Sequence, residues 1–387
     1  MRRLVTLVAL ATLVLAGCGG ESEPEAGETP TPSPTESSSP ASPTESPRTS
    51  APTTTAPSPS ATPTRRTTRP RVLGTVARNL EAPWGVAFLP DGTALVTERD
   101  TGRVFRIGNG EVVRVGRVEQ SEPGGEAGLL GVAVSPTYAE DRRVFLYTTA
   151  TEDNRVLRAN LRGNRLRGLE PILTGIPKAS NHDGGRMIFG PDGMLYVSTG
   201  EAGQPELAQD MGSLGGKILR ITQDGRPAPG NPDPGSPIWT SGHRNVQGLA
   251  FDDAGNLWAS EFGQNTWDEL NLIRRGRNYG WPRVEGKGDA PDYEDPQIQW
   301  STDVASPSGL AYAGSRLYLG ALRGERLWRI DVDGRRAGRE RAFFVGDHGR
   351  MRTVVTAPDG NLWLTTSNRD GRGDPAENDD RILLVRP

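Results

Sequence analysis

One pattern of residues recurs six times along the chain, between residues 85 and 385. Each copy contains an apolar strand, a turn that resembles Pro-Asp-Gly, a second apolar strand and, after a polar loop, a third strand. The copies begin at Gly85, Gly131, Met187, Gly248, Gly309 and Thr353. Repeats of about 45 to 60 residues made of short antiparallel strands are typical of β-propellers, in which each unit buries its apolar faces against its neighbours. The pattern predicts an all-β fold, a six-bladed β-propeller of four-stranded antiparallel blades.

An additional strand, Val72 to Leu80, precedes the first copy. We expect it to complete the last blade and close the ring, because closure removes the exposed sheet edges. A pair of β-sandwiches would need a linker near the middle of the chain, and none is evident. Residues 72–387 are therefore predicted to form one domain.

The first 18 residues have the pattern of a secretory signal. Arg2 and Arg3 precede a short apolar run that ends in Leu15-Ala16-Gly17-Cys18. This ending resembles a bacterial lipobox, in which Cys18 would become the lipidated first residue; the alternative is an ordinary signal with a chance cysteine. We expect an exported protein, anchored by lipid to the outer face of the bacterial cytoplasmic membrane or to the cell envelope.

Residues 19–71 are almost wholly Pro, Ser, Thr, Glu, Ala and Gly. Such a segment cannot bury enough apolar area to offset its ordering entropy, so it is predicted to be a disordered tether between the anchor and the propeller. The net charge of −3 gives no indication of a nucleic-acid partner. Any catalytic or binding site is therefore expected in the propeller.

The unusual residues lie in the loops that enter the first strand of a copy or follow its second strand. Loops that enter the innermost strands of a propeller lie on one face, around the axis, so these segments should converge on one pocket. Several arginines would meet there, and like charges brought together imply a bound polyanion. His182 is set among glycines and is the candidate base, since a neutral imidazole accepts a proton near pH 7.

These loops resemble those of the soluble quinoprotein sugar dehydrogenases, which use pyrroloquinoline quinone (PQQ) on a six-bladed propeller. The resemblance spans residues 72–387. The matching motifs, in chain order, are Glu126-Ala-Gly-Leu-Leu-Gly, His182-x-Gly-Gly-Arg, Gly-His-Arg244-Asn245-x-Gln247-Gly-Leu, Glu-x-Gly263-x(5)-Glu269, Asn278-Tyr279-Gly280-Trp281-Pro282 and Arg350-x-Arg352.

The resemblance implies an enzyme that oxidises the C1 hydroxyl of aldose sugars to lactones. His182 would be the general base for that hydroxyl, with hydride passing to PQQ, and Glu201 would orient the histidine. Arg244 would stabilise the charge that develops on the cofactor. Glu126, which replaces a glutamine found in some members, would contact the substrate. Electrons would then leave to an external acceptor.

Cofactor and metal ligands are implied in the same way. Asn245 and Arg244 would bond to PQQ, and the PQQ carboxylates would pair with three arginines, Arg323, Arg350 and Arg352. A calcium ion would bridge PQQ to the backbone carbonyls of Gly263 and Gln264, although the family usually has proline at the second position. A second, structural calcium would use Glu269, Tyr279 and Asp289; the alternative is an ordinary acidic surface.

Two other functions are compatible with a propeller. One is a non-catalytic lipoprotein that binds a sugar or a protein partner at the cell surface and has no affinity for PQQ. The other is a calcium-dependent lactonase, which needs carboxylate side chains and an asparagine around one axial metal. The arginine-rich axial loops place the lactonase last, and a titration with PQQ would separate the non-catalytic lipoprotein from the dehydrogenase.

Overall fold

The structure is a computed structural model that describes residues 69–387. The signal segment 1–18, its Cys18 and all but the end of the tether lie outside these residues, so the predictions made for them stay predictions. In the described part, 24 strands form six four-stranded sheets whose neighbouring strands are all antiparallel. The predicted six-bladed propeller is confirmed.

The first three blades follow one another in sequence, each numbered from its innermost strand outward. Blade 1 comprises β2 (Pro83–Phe88), β3 (Ala94–Glu98), β4 (Arg103–Gly108) and β5 (Glu111–Arg117). Blade 2 comprises β6 (Leu129–Val134), β7 (Arg143–Thr149), β8 (Asn154–Arg162) and β9 (Arg165–Ile176). Blade 3 comprises β10 (Met187–Phe189), β11 (Leu195–Ser198), β12 (Ile218–Ile221) and β13 (Ile238–Thr240).

The second half of the ring repeats this order until the last strand position. Blade 4 comprises β14 (Val246–Phe251), β15 (Leu257–Glu261), β16 (Trp267–Ile273) and β17 (Ile298–Ser301). Blade 5 comprises β18 (Pro307–Tyr312), β19 (Arg316–Ala321), β20 (Arg326–Asp333) and β21 (Arg336–Phe343). Blade 6 comprises β22 (Met351–Thr356), β23 (Leu362–Thr366), β24 (Ile382–Arg386) and, as its outermost strand, β1 (Arg71–Ala77).

The first strand of the described chain therefore closes the ring, as predicted. β1 pairs with β24 in antiparallel register, with Arg71 opposite Arg386 and Ala77 opposite Ile382. The strand begins at Arg71, one residue before the predicted boundary. Within residues 69–387, helix is limited to α1 (Tyr138–Asp141) and a 3-10 turn at Pro205–Ala208. No helix in this part of the chain is long and apolar enough to cross a bilayer.

Hydrophobic side chains hold each blade to the next. The described residues contain a buried apolar cluster at every junction, including the one between blade 6 and blade 1, where Ala77, Trp363 and Val86 meet. Since apolar burial contributes about 25 cal/mol per Å², these junctions are the main cohesive contacts of the ring.

The innermost strands approach one another closely around the axis. A Cβ atom added to Gly131 would lie 2.2 Å from the carbonyl oxygen of Gly185, and one added to Gly248 would lie 2.4 Å from the carbonyl oxygen of Ser308. Glycine is required at both positions because a side chain would force neighbouring blades apart. This narrow level separates two cavities along the axis, an apolar one of about 360 Å³ and the polar one that follows.

Candidate active site

A cavity of about 410 Å³ opens on the face where the chain enters the innermost strands. Five of the six blades contribute to its walls, so the structure brings together loops that are distant in sequence. The lining residues are Glu126, His182, Arg244, Asn245, Gln247, Phe262, Gly263, Ser306, Leu322, Arg323, Arg350, Arg352 and Arg372.

The backbone of His182 is held in a left-handed conformation, with a φ of +58°, which few residues other than glycine adopt. Its N–H donates to Oε2 of Glu126 at 3.2 Å, and its carbonyl accepts from the N–H of Ala202 at 3.1 Å. A Cβ atom on Gly200 would lie only 1.9 Å from that carbonyl oxygen. The loop therefore has little freedom, and the histidine is fixed from its backbone outward.

The imidazole of His182 is paired with a buried carboxylate. Its Nδ1 lies 2.5 Å from Oε1 of Glu201, whose side chain is 1% exposed and whose Oε2 has no hydrogen-bond partner. Because a carboxylate accepts the Nδ1 proton, the neutral ring keeps its lone pair on Nε2, where the Asn181 amide donates at 3.2 Å. Nε2 is thus the basic nitrogen, and Glu201 is placed to stabilise an imidazolium.

Arg244 enters the cavity from the loop before β14. Its side chain donates to the side-chain oxygen of Gln264 and to the carbonyl of Phe262, and it lies 5.5 Å from the centre of the Trp281 ring. Burial lowers the pKa of Arg244 below its ordinary value, and surrounding glutamates, Glu201 first, oppose that change. The guanidinium therefore has a fixed direction but no bidentate carboxylate partner.

Arg350 and Arg352 share one buried carboxylate, Asp370. Both guanidinium groups donate to its Oδ2, at 3.1 to 3.2 Å, and Arg352 also donates to Ser367. Burial opposes ionisation of Asp370, but the two arginines hold its pKa below the ordinary value. Sequence reasoning missed Asp370; the signal was that two arginines facing one pocket need a counter-ion.

Glu126 connects the histidine loop with the loop that precedes β14. Besides the His182 N–H, its Oε2 accepts from Nδ2 of Asn245 at 3.1 Å and Nε2 of Gln247 at 3.4 Å. Its other oxygen lies 3.9 Å from a guanidinium nitrogen of Arg372. Sequence reasoning also missed Arg372, which lies in the polar loop between β23 and β24, where no motif marks it.

Arg323 lies at the rim of the same cavity, in the loop after β19, and its side chain is exposed. The described lining therefore contains five arginines and one carboxylate, Glu126. Asp370 neutralises part of the charge of two of them. The remaining excess of guanidinium groups around one cavity fits an anionic ligand with several carboxylates.

The predicted calcium loop is tightly held at its backbone N–H groups. Oε1 of Glu285 accepts from four consecutive N–H groups, those of residues 264–267, at 2.7 to 3.1 Å. Gly263 lines the cavity, and its N–H donates to Asp268. This leaves the loop rigid, with its carbonyls available as hard oxygen ligands of the kind calcium prefers.

The residues predicted for a second calcium are only partly brought together. Glu269 and Tyr279 line a small cavity among the strands and loops of blade 4, together with Glu261 and Glu285. Asp289 lies in an exposed loop and does not line it. Burial and the neighbouring Glu261 raise the pKa of Glu269. In residues 69–387, no group of three or more histidine, cysteine or acidic side chains has the arrangement of a metal centre.

Comparison with known proteins agrees with this architecture. The chain is 31% identical over 330 residues to aldose sugar dehydrogenase YliI of Escherichia coli, covering 76% of this chain and 89% of that protein. It is 32% identical over 256 residues to quinoprotein glucose dehydrogenase B of Acinetobacter calcoaceticus, covering 56% and 54%.

Among solved structures, the PQQ-bound aldose sugar dehydrogenase of Streptomyces coelicolor is 53% identical, with 82% of this chain and 98% of that chain covered and a TM-score of 0.80. The sequence profile of the glucose/sorbosone dehydrogenases matches residues 80–384, nearly the whole propeller. The resemblance read from the loop motifs is thereby confirmed, and the chain belongs to the glucose/sorbosone dehydrogenase family.

Proposed function

We propose that this protein is a PQQ-dependent aldose dehydrogenase that oxidises the C1 hydroxyl of sugars to lactones. The observation that carries the proposal is the His182–Glu201 pair, which faces a cavity ringed by five arginines. A base and an excess of fixed cations are the two things that a hydride transfer to an anionic quinone requires of its protein. The names of the relatives above support the same substrate class.

His182 would take the proton of the C1 hydroxyl on Nε2, while the C1 hydride leaves for the bound cofactor. PQQ, when present, supplies the two-electron acceptor that the side chains of this chain lack. Glu201 would keep the imidazole in the tautomer with a free Nε2 and stabilise the imidazolium. Glu126 would orient the histidine loop through the His182 N–H and contact the sugar from the same carboxylate.

The arginines would hold the cofactor. Arg323, Arg350 and Arg352 would pair with its carboxylates, while Arg244 and Asn245 would lie against its polar edge, where negative charge develops. The carbonyls of Gly263 and Gln264 would bind the associated Ca²⁺, whose role is to polarise the quinone as a Lewis acid. A second calcium would use Glu269, the carbonyl of Tyr279 and Asp289, although Asp289 does not line the small cavity that the other two share.

The remaining parts of the proposal concern the residues before the propeller and the partners of the enzyme. Cys18 would carry a lipid anchor, the tether would hold the propeller away from the membrane, and reducing equivalents would pass to an external acceptor. Incorporation of radiolabelled palmitate by wild-type protein, and its loss in Cys18→Ala, tests the anchor.

The test of the activity is reconstitution. Purified protein supplied with PQQ and Ca²⁺ should bleach a redox dye when aldoses are added, and should produce the corresponding lactone. A propeller that only binds sugar or a partner would show no change in the PQQ absorbance spectrum on titration. A null result with a broad panel of aldoses, despite bound PQQ, would sink the dehydrogenase assignment.

A further inference from the structure

One buried cation beneath the cavity is not used by the proposed chemistry. Arg186 is one of the residues that line the apolar axial cavity, and it is 7% exposed. Aligning the six repeats on their turns places it at a position that is threonine in blade 6, Thr353, and glycine in the other four. Those glycines are Gly85, Gly131, Gly248 and Gly309. Blade 3 alone therefore projects a long, charged side chain from this level of the ring.

The Arg186 side chain crosses the channel from blade 3 to the opposite blade. Its Nη2 donates to Oγ1 of Thr353 at 3.0 Å, and its Nε donates to the carbonyl of Gln247 at 2.8 Å. The guanidinium lies 4.1 Å from the centre of the Trp84 ring. These partners are all neutral, and in the described chain no carboxylate forms an ion pair with Arg186.

An arginine buried without a counter-ion is costly, because the protein interior solvates charge far less well than water does. Burial, and then repulsion from Arg352, lower the pKa of Arg186 to about 9, so the group is still charged at neutral pH. By contrast, the neighbouring Arg350 and Arg352 are compensated by Asp370. The bonds of Arg186 to a carbonyl and a hydroxyl need only a neutral donor, so among these contacts only the one with the Trp84 ring favours a cation.

The guanidinium of Arg186 is connected to the polar cavity through one residue, Gln247. Gln247 lines that cavity and connects the two arginines: its carbonyl accepts from Arg186, and its side-chain oxygen accepts from Arg352 at 3.2 Å. Arg186 thus lies one residue below the cavity floor. In a region of low dielectric constant and without a counter-ion, its field is not cancelled there.

We propose that Arg186 is an electrostatic element that raises the reduction potential of the cofactor bound in the cavity; this rests on the proposed function. Hydride transfer brings two electrons and one proton to the cofactor, so the cofactor gains one net negative charge. The sugar loses its C1 hydride to the cofactor and its hydroxyl proton to His182. A fixed positive charge below the floor stabilises the reduced form more than the oxidised form.

The experiment compares the reduction potential of bound PQQ in wild-type holoenzyme, Arg186→Met and Arg186→Lys, with oxidised PQQ affinity measured in parallel by absorbance titration. Methionine keeps an apolar stem on Trp84 but removes the charge. We expect Arg186→Met to lower the ratio of reduced to oxidised PQQ affinity at least tenfold, which is about 30 mV for a two-electron couple. Arg186→Lys should keep the wild-type potential.

Arg220 offers a matched control. It is also buried, and it lies over aromatic rings, Tyr196 and Trp239. However, it is paired with Asp192 at 2.8 Å and lies on blade 3 away from the cavity. Arg220→Met should destabilise the fold without moving the potential. A shift in this control equal to that in Arg186→Met would overturn the proposal, because it would show a general effect of lost packing.

A second variant covers the case in which Arg186→Met does not fold. Thr353→Asp leaves Arg186 in place and puts a carboxylate on the hydroxyl position that its guanidinium contacts, so the charge is neutralised rather than removed. It should lower the potential in the same direction. An unchanged potential in either variant with PQQ bound overturns the role of Arg186, whereas failure of the wild-type protein to bind PQQ overturns the proposed function itself.

Discussion

His182 is the proposed base, and its ring and backbone are fixed by different partners. Glu201 holds the ring through Nδ1, while Glu126 and Gly200 hold a backbone conformation that glycine would adopt more readily. Strained backbone of this kind costs of order 1–3 kcal/mol and persists where the surroundings impose it. Here the constraint fixes the position of a histidine that lines the cavity.

Replacing this histidine tests its role directly. His182→Ala should lower kcat by roughly a hundred- to ten-thousand-fold, the usual contribution of a general base, while PQQ affinity stays near that of the wild type. Steady-state dye reduction and absorbance titration of PQQ measure the two quantities. His348→Ala is the control, because His348 does not line the cavity. Equal losses in both variants would contradict a role for His182 as base.

The next residue, Asp183, is a buried carboxyl group of a different kind. Its Oδ1 accepts from Asn154 at 2.8 Å and from the N–H of Ala179 at 3.2 Å, but its Oδ2 has no partner. Burial raises the pKa of Asp183 to about 7. Because the folded value is raised, the stability that the protonated carboxyl contributes is complete below about pH 4 and is lost as the pH rises through 7.

Asp183→Asn should therefore become more stable relative to wild type as the pH rises. The difference in unfolding free energy should grow between about pH 4 and pH 7, by at most about 1.4 kcal/mol per pH unit, and then level off. Urea denaturation at pH 5 and pH 8 measures it. Asp192→Asn is the control. Burial raises the pKa of Asp192, but its N–H and arginine partners lower it further, so that the native pKa lies below the ordinary value. Between about pH 4 and pH 7 the difference in unfolding free energy between Asp192→Asn and wild type should therefore not change. A flat difference in Asp183→Asn would show that the carboxyl ionises freely.

At the residue scale, the structure brings together most of the side chains that the sequence proposed for one site, and their roles there stay predictions. The sequence brought His182, Glu201, Arg244, Asn245, Arg350 and Arg352 into one site, and all six lie at or beside the cavity. Asp370 and Arg372 were missed because they lie in the loop of residues 367–381, which is rich in arginine, aspartate and glycine and reads as solvated surface. Only the tertiary fold distinguishes these two residues from surface charges, because it places Asp370 beside Arg350 and Arg352 and places Arg372 near Glu126.

At the scale of elements, the closing strand is the most consequential one. β1 covers the outer edge of β24, so blade 6 is built from the two ends of the propeller sequence. An uncovered β24 would present unpaired N–H and carbonyl groups to other molecules. Removing residues 71–80 would also remove Ala77 and Leu80 from the apolar cluster between blades 6 and 1.

Two truncated chains distinguish the contribution of β1 from that of the residues before it. A chain that starts at residue 69 should unfold cooperatively at the midpoint of the full-length protein. A chain that starts at residue 79 should lose on the order of 5 kcal/mol, from about 1 kcal/mol net per ladder hydrogen bond, and should aggregate. Calorimetry and size-exclusion chromatography distinguish them, and identical behaviour of the two chains would contradict closure by β1.

The inner strands of every blade were predictable, but most outermost strands were not. The first three strands of each repeat are apolar and flanked by turn residues, so their pattern is visible in the sequence. Outer strands such as β5 and β21 are largely exposed and rich in charge, for example Arg336–Phe343. Their pairing comes from backbone hydrogen bonds to the third strand, which leave no hydrophobic periodicity to read.

For the whole molecule, the cavity belongs to no single blade. Its lining residues come from blades 2 to 6, and Arg186 and Trp84 bring blades 3 and 1 together beneath it. A ligand in this position contacts five units that otherwise touch mainly their immediate neighbours. Cofactor binding should therefore stabilise the ring as one unit.

PQQ with Ca²⁺ at a hundred times its dissociation constant should raise the unfolding free energy by about 2.7 kcal/mol. Differential scanning calorimetry should show a higher midpoint and a single transition. Citrate, a tricarboxylate that is not a quinone, separates general anion binding from cofactor binding and should give a smaller rise. No change in midpoint at saturating PQQ would argue against a cofactor held between blades.

The pairing of β1 with β24 also sets the order of events during biosynthesis. β1 is the first strand of the propeller to be translated and its partner β24 is the last, so that paired residues such as Gly74 and Leu384 lie 310 positions apart in the sequence. Contacts of such long sequence separation form late because chain closure must precede them. The ring, and with it the complete cavity, exists only once the entire propeller has been synthesised, so we expect a cofactor held in this cavity to bind after translation.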